Sequence, residues 1–274
     1  MVVFFFVIAL IFYFVCTVAY LLDLSLRNER LFRYKTLAFF GGFLFHSVAL
    51  VGKGYDAGGF PFVTGYEKVN LAVWTVALAY LLVERKTGQK SFGSLVVPAV
   101  FAGLSYALFL PREVPALTPG LEKFLLLAHI IFFVLGFLAL VIAFTGGMIY
   151  ISQEDHLKTK KFGKLYYKLP SLEVLDKMNY RALVFGFPLL TLGMVFGALW
   201  ANYSGASFWN WKDPIQIWTL ITWGIYALLL QGRLTAGWRG RRASILAIIG
   251  FSAVVITLVG VVKGSHLFLN GSIP

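Results

Sequence analysis

The 274-residue sequence predicts an all-α, polytopic membrane protein with about eight transmembrane helices and both termini outside. Three observations lead there. First, 59% of the residues are hydrophobic, only 13% are charged, and the mean hydropathy is +0.80. Soluble domains hold about 45–50% apolar and about 25% charged residues. Second, eight stretches approach the roughly 20 apolar residues that a helix needs to cross the hydrocarbon core. Third, the 24 Lys and Arg alternate sharply between connections. Seventeen lie in the odd-numbered connections, with Arg181 adjoining the fifth, and six lie on the even-numbered side. The positive-inside rule puts the odd connections in the cytoplasm. The net charge of +12 is then a topology signal, and nucleic acid is not needed to account for it.

The first span covers about 2–22. Its start, Met1-Val2-Val3-Phe4-Phe5, has neither a basic n-region nor a small-x-small cleavage site, so a retained span is expected rather than a signal peptide. It contains Cys16, the one cysteine, which excludes an internal disulfide and a Cys-based metal site. A basic connection (Arg27, Arg30, Arg33, Lys35) leads to the second span, 36–52, and the third follows at 67–83. Arg85, Lys86 and Lys90 precede the fourth, 93–110. The fifth, 121–151, is long enough to tilt or to extend beyond the bilayer. Lys158, Lys160, Lys161, Lys164, Lys168 and Lys177 separate it from the sixth, 180–201. The seventh, 215–231, and the eighth, 244–263, flank Arg233, Arg239, Arg241 and Arg242. With no internal repeat, residues 1–274 are expected to form a single transmembrane domain.

Ionisable residues at membrane depth are costly, which makes them functional candidates. His46 falls in the outer half of the second span, His129 in the outer half of the fifth, and His266 just past the eighth. His156 is expected in a solvated cytoplasmic loop. Helix–helix hydrogen bonding accounts for any single buried histidine. Three at one leaflet, on helices distant in sequence, favour a ligand set instead, because neutral imidazole is the commonest metal ligand near pH 7. Without cysteine and with few outer carboxylates, zinc and di-metal carboxylate sites are disfavoured. Haem iron suits two imidazoles across a flat macrocycle.

Six of the seven tryptophans lie between Trp200 and Trp238. The segment 200–218, expected outside, contains Trp200, Trp209, Trp211 and Trp218. Asp213-Pro214 is a good helix start, with Trp218 about one turn in. Interfacial anchoring and a platform for a large flat ligand both fit this composition.

On these residues the sequence resembles the membrane cytochrome c assembly family, which includes CcsA (also called ResC) and HemX. The family's mark is an external "WWD" segment, W-x-W-D-P-K-E-x-W, followed by a span. It is matched here by Trp209-Asn210-Trp211-Lys212-Asp213-Pro214-Ile215-Gln216-Ile217-Trp218. The resemblance extends through Phe45-His46-Ser47, Tyr66-Glu67, Gly186-Phe187-Pro188, Gly237-Trp238-Arg239 and Gly264-Ser265-His266. There are three departures. Lys212 is inserted before Asp213, Ile215-Gln216 replaces Lys-Glu, and Gln231 stands where a histidine linked to an intramembrane haem site is usual.

The resemblance implies a haem b cofactor, with His129 and His266 as axial iron ligands and Trp209, Trp211, Asp213, Pro214 and Trp218 forming part of the haem site. His46 is expected to support that site by hydrogen bonding or to act as a reserve ligand. Lys212 is the nearest candidate in sequence for a haem propionate, with Lys53, Arg112, Lys123 and Lys263 on the same side. The implied function is a haem-binding protein of cytochrome c biogenesis, CcsA/ResC-like, in a bacterial-type cytoplasmic (inner) membrane. Its haem site would face the periplasm and present haem to apocytochrome c. The partner would be a ResB/CcsB-like membrane subunit, and the chain would be the haem-binding subunit of a holocytochrome c synthase (haem lyase) complex. The alternative is a HemX-like regulator of haem synthesis.

Overall fold

In a computed structural model, the described residues are 2–26, 34–56, 64–88, 90, 93–110, 121–160, 170–205, 208–211 and 213–269. Side chains are described for all of these except 24–26, 56, 87, 214–215 and 257–269. The chain is all-α, with eight helices and no strand among the described residues. Each predicted span corresponds to one helix. Among the described residues, five helices are long and apolar enough to cross a membrane, so this is a multi-pass membrane protein. The chain divides into two compact units, 1–115 and 116–274.

The N-terminal unit holds α1 (Val2–Leu26), α2 (Lys35–Asp56), α3 (Gly65–Thr87) and α4 (Gly93–Ala107). In lipid, helices gain little from hydrophobic association, so close packing and interhelical hydrogen bonds must hold them. Both are present. A Cβ on Gly93 would collide with the Tyr20 ring, so the glycine lets α4 start close against α1. Buried and half-buried polar side chains pair across helices: Tyr20 with Tyr80 at 2.8 Å, Thr36 with Glu84 at 2.7 Å, and Trp74 with Ser47 at 2.8 Å. Lys35 also pairs with Asp23. Helix α3 opens with a capping box, Thr64 and Glu67 each accepting the other's backbone N–H, and closes on Gly88 at φ +69°. The fourth span is shorter than the expected 93–110. α4 has 15 residues, about 22 Å of helix. Beyond it Leu108, Phe109 and Leu110 each bond three residues back, which tightens the chain out of the helix.

The C-terminal unit holds α5 (Leu121–Lys158), α6 (Leu172–Tyr203), α7 (Pro214–Thr235) and α8 (Arg241–Leu269). The 38 residues of α5 reach about 57 Å, well past a 30 Å hydrocarbon core. Its last turns continue through Glu154, Asp155 and His156. His156 is therefore not in a loop. Its Nδ1 lies 2.6 Å from the Ser152 carbonyl, within the helix. α6 starts eight residues before the expected 180, because the Ser171 hydroxyl caps it by accepting from Val174 N–H.

α5 and α6 pack backbone to backbone. A Cβ on Gly136 would lie 2.9 Å from Leu190 N, and one on Gly186 would lie 2.6 Å from the Ala139 Cβ. α8 closes on α5 through Phe251, whose ring is 4.5 Å from Phe144 and 5.9 Å from Phe137. The Tyr226 ring of α7 packs on Gly250 of α8, and its hydroxyl donates to Ala247 O at 3.4 Å. At one end of the unit, Asp176 ties three helices. It accepts from both Arg233 terminal nitrogens (2.9 and 3.3 Å) and from Gly240 N–H at 2.9 Å. Arg241 pairs with Glu154 and Asp155 at the same end. The opposite end carries the tryptophan segment.

Candidate functional site

At the tryptophan end, the segment between α6 and α7 is folded against the start of α7. The Gln216 side-chain oxygen accepts from Asn210 N–H at 2.8 Å, and Asp213 N–H donates to Asn210 O at 3.0 Å. The Asp213 carbonyl then accepts from Ile217 N–H, so Asp213 immediately precedes the helix and Pro214 is its first residue. Proline fits there, because its missing N–H would have no partner in the first turn. The Trp209 and Trp211 rings meet edge to face, 5.8 Å apart at 66°. Trp209 is half-buried, while Trp211 is 70% and Trp218 38% exposed. The indole N–H groups of Trp209 and Trp200 are buried without a hydrogen-bond partner among the described residues. Buried donors of that kind cost free energy unless something accepts from them. Trp223, farther along α7, packs on Phe187 at 5.5 Å and donates to Thr191 Oγ1 at 3.0 Å, joining α7 to α6.

His129 lies on α5, half-buried against α6. Its Nδ1 is 2.7 Å from the Gly193 carbonyl oxygen. A carbonyl cannot donate, so Nδ1 carries the proton, and in the neutral ring Nε2 carries the lone pair. Phe133, on the next turn of α5, lies 6.2 Å from the imidazole, and Phe132 stacks on Phe196 of α6 at 5.4 Å. Trp200 is three residues beyond Gly197 on α6, about one turn nearer the end of that helix. Farther out, the Ser204 hydroxyl donates to Glu122 at 3.0 Å.

The other expected site residues fall as follows. The backbone of His266 belongs to α8, but its side chain lies outside the described residues, as do Lys212, Arg112 and the Lys263 side chain. Lys123 is exposed in the first turn of α5. His46 belongs to the N-terminal unit and is fully buried. Its Nδ1 lies 3.4 Å from the Tyr13 hydroxyl, and its Nε2 has no partner among the described residues. It lines a cavity of about 10 Å³ with Lys53, Tyr66, Glu67 and Asn70, which is room for about one water. Three residues escaped the sequence reading: Gln216, Gly193 and Gly197. Gln216 was visible only as a departure from the WWD pattern. The glycines form a G-x-x-x-G within an apolar helix, a helix-packing signal that could have been found.

A family model described as "Cytochrome C assembly protein" matches residues 63–266. The chain belongs to the cytochrome c assembly protein family. "Cytochrome c biogenesis protein CcsA" of Guillardia theta is 33% identical over 235 residues, 78% of each chain. The protein of the same name from Prochlorococcus marinus subsp. pastoris is 30% identical over 275 positions, covering 92% of this chain and 87% of that one. Among solved structures, "Cytochrome c Heme Lyase CcmF" superposes with a TM-score of 0.64 at 18% identity, over 98% of this chain. It shares the fold, and this chain spans about half of its length (48%). As a family member, the chain is a multi-pass membrane protein of cytochrome c biogenesis. These findings give the alternative of a HemX-like regulator no support.

Proposed function

We propose that this family member binds haem b at the tryptophan end of its C-terminal unit and presents it for attachment to apocytochrome c. Haem here is cargo, and the residues at that end fit it. The observation that carries the reading is the 2.7 Å bond from His129 Nδ1–H to Gly193 O, which puts the ring's lone pair on Nε2. Metal-binding imidazoles are typically oriented through their second nitrogen in this way. The buried indole N–H groups of Trp200 and Trp209 suit the acidic edge of a porphyrin, and the indole faces suit its apolar plane. His129 and His266 would be the axial ligands. Trp209, Trp211 and Trp218 would cover the macrocycle, while Asp213 and Pro214 set the start of α7 beneath them.

The bound haem supplies vinyl groups that accept cysteine thiols. Each S–H adds across a vinyl double bond, so a thioether forms with no net oxidation. The thiols come from a Cys-x-x-Cys-His segment of the apocytochrome. This chain's residues hold the iron, orient the ring and keep water away, which is catalysis by positioning. The charge asymmetry supports an outer, periplasmic position for the tryptophan end in a cytoplasmic-type membrane. A ResB/CcsB-like membrane subunit would complete the lyase.

The test is the optical spectrum of the purified wild type, His129→Ala and His266→Ala, paired with cytochrome c maturation in an assembly-deficient host with and without a ResB-like subunit. A six-coordinate, low-spin spectrum that weakens in both variants is expected. Variants spectrally identical to wild type would remove these histidines from the site.

A further inference from the structure

The geometry points to Gly193 and Gly197 as positioning residues that form a backbone clip for His129; we propose that this clip sets the ring's tautomer and its strength as an iron ligand. The inference rests on the haem-ligand reading of His129. Gly193 and Gly197 are four residues apart and so lie on the same face of α6, turned toward α5. They do different things there.

Gly193 sets the approach of the two helices and supplies the acceptor. A Cβ at 193 would lie 3.1 Å from Phe133 N and 3.3 Å from its Cα, so a side chain would require the two backbones to part by a few tenths of an ångström. Its carbonyl has a second lone pair beyond the one used along the helix, and His129 Nδ1–H reaches it at 2.7 Å. Gly197 clears the space through which the ring reaches that carbonyl. In a helix each Cα–Cβ bond tilts toward the N-terminus, so the side chain of residue i+4 covers the carbonyl of residue i. A Cβ at 197 would stand 2.7 Å from His129 Nδ1 and 2.9 Å from its Cε1. Those contacts are too short to coexist with the ring where it lies. With even an alanine at 197, the ring must rotate or retreat, and the bond to Gly193 O goes with it.

The chemical consequence follows from the direction of that bond. An imidazole that donates from Nδ1 to a carbonyl is a stronger donor at Nε2, and it favours ferric over ferrous iron. Losing such a partner typically costs about 10–100-fold in metal affinity. The same α5–α6 seam supplies its own control. Gly186 is as crowded, 2.6 Å from Ala139 Cβ, but no histidine touches it.

The experiment compares wild type, Gly197→Ala, Gly186→Ala and His129→Ala, purified in detergent and titrated with haem b. Affinity, midpoint potential and thermal stability are measured, together with the ¹⁵N chemical shifts of His129 before haem is added. Both glycine variants are expected to lose stability. Only Gly197→Ala should lose about tenfold or more in haem affinity and shift the midpoint potential upward, with added imidazole restoring the low-spin spectrum. In the haem-free wild type, the shifts should report the Nδ1–H tautomer. Wild-type affinity and potential in Gly197→Ala, or equal losses in Gly186→Ala, would overturn the clip. If Gly197→Ala does not fold, an Nε2–H tautomer in the wild type overturns it, and an Nδ1–H tautomer supports it. If His129→Ala keeps the wild-type spectrum, the ligand reading fails, and the tautomer measurement still decides whether the glycines hold the ring.

Discussion

Removing the Asp176 carboxylate tests how the C-terminal unit holds its helices together. Asp176 accepts two hydrogen bonds from the Arg233 guanidinium, at 2.9 and 3.3 Å, and one from Gly240 N–H at 2.9 Å. It thereby joins the start of α6, the end of α7 and the turn into α8. The Arg233 side chain is only 3% exposed and that of Asp176 is 20% exposed. Breaking a buried pair by deleting one partner costs about 3–5 kcal/mol, because the remaining charge stays desolvated. Partial exposure of Asp176 puts Asp176→Ala near the lower figure, about 3 kcal/mol. For a unit of this size that corresponds to a fall in Tm of roughly 6–12 °C. Arg233→Met in the same background removes the stranded charge and should recover more than half of the loss. The assay is thermal unfolding in detergent for the two single variants and the double variant. Arg233 lies fifteen residues along α7 from Trp218, about 22 Å away. Haem spectra below the lowered Tm should therefore match wild type. An Asp176→Ala variant within about 0.5 kcal/mol of wild type, or a double variant less stable than Asp176→Ala, would refute the reasoning.

Three further outcomes are expected. Gln216→Ala removes the acceptor for Asn210 N–H; it should cost only about 0.5–1 kcal/mol in unfolding but weaken haem retention by loosening Trp209 and Trp211, read by tryptophan fluorescence and haem titration. His46→Ala, in the N-terminal unit, should weaken haem retention less than His129→Ala, and complete haem loss with a normal fold would make His46 a ligand. A cysteine at position 210, with Cys16 replaced, should be labelled by an impermeant reagent from the outer face, and labelling from the cytoplasmic face would reverse the proposed topology.

The sequence shows its fold more openly than its site. Each of the eight apolar stretches became a helix, because a residue's preference for lipid over water belongs mainly to that residue and its near neighbours. Errors gathered at the ends, where capping decides. Ser171 starts α6 early, and polar residues ride out on an α5 that simply continues past the apolar run. The tryptophan motif was legible for the same local reason: Asp213, Pro214, Gln216 and Trp218 lie within one and a half turns. His156 was misplaced because a charged stretch reads as a loop even when the helix beneath it is unbroken.

Helix number, membrane character, the charge asymmetry and the tryptophan-rich segment with its helix start at Asp213-Pro214 were all determined by the sequence itself, since each depends on short-range composition. Only the tertiary structure decided that the His129 ring meets Gly193, 64 residues away. That contact needs the register of α5 against α6, and the register follows from where two glycine-bearing faces can approach backbone to backbone. No property of His129 or of Gly193 alone carries that information. It arises from the simultaneous fit of Gly136, Gly186, Gly193 and Gly197 along one seam, which exists only once the helices have packed.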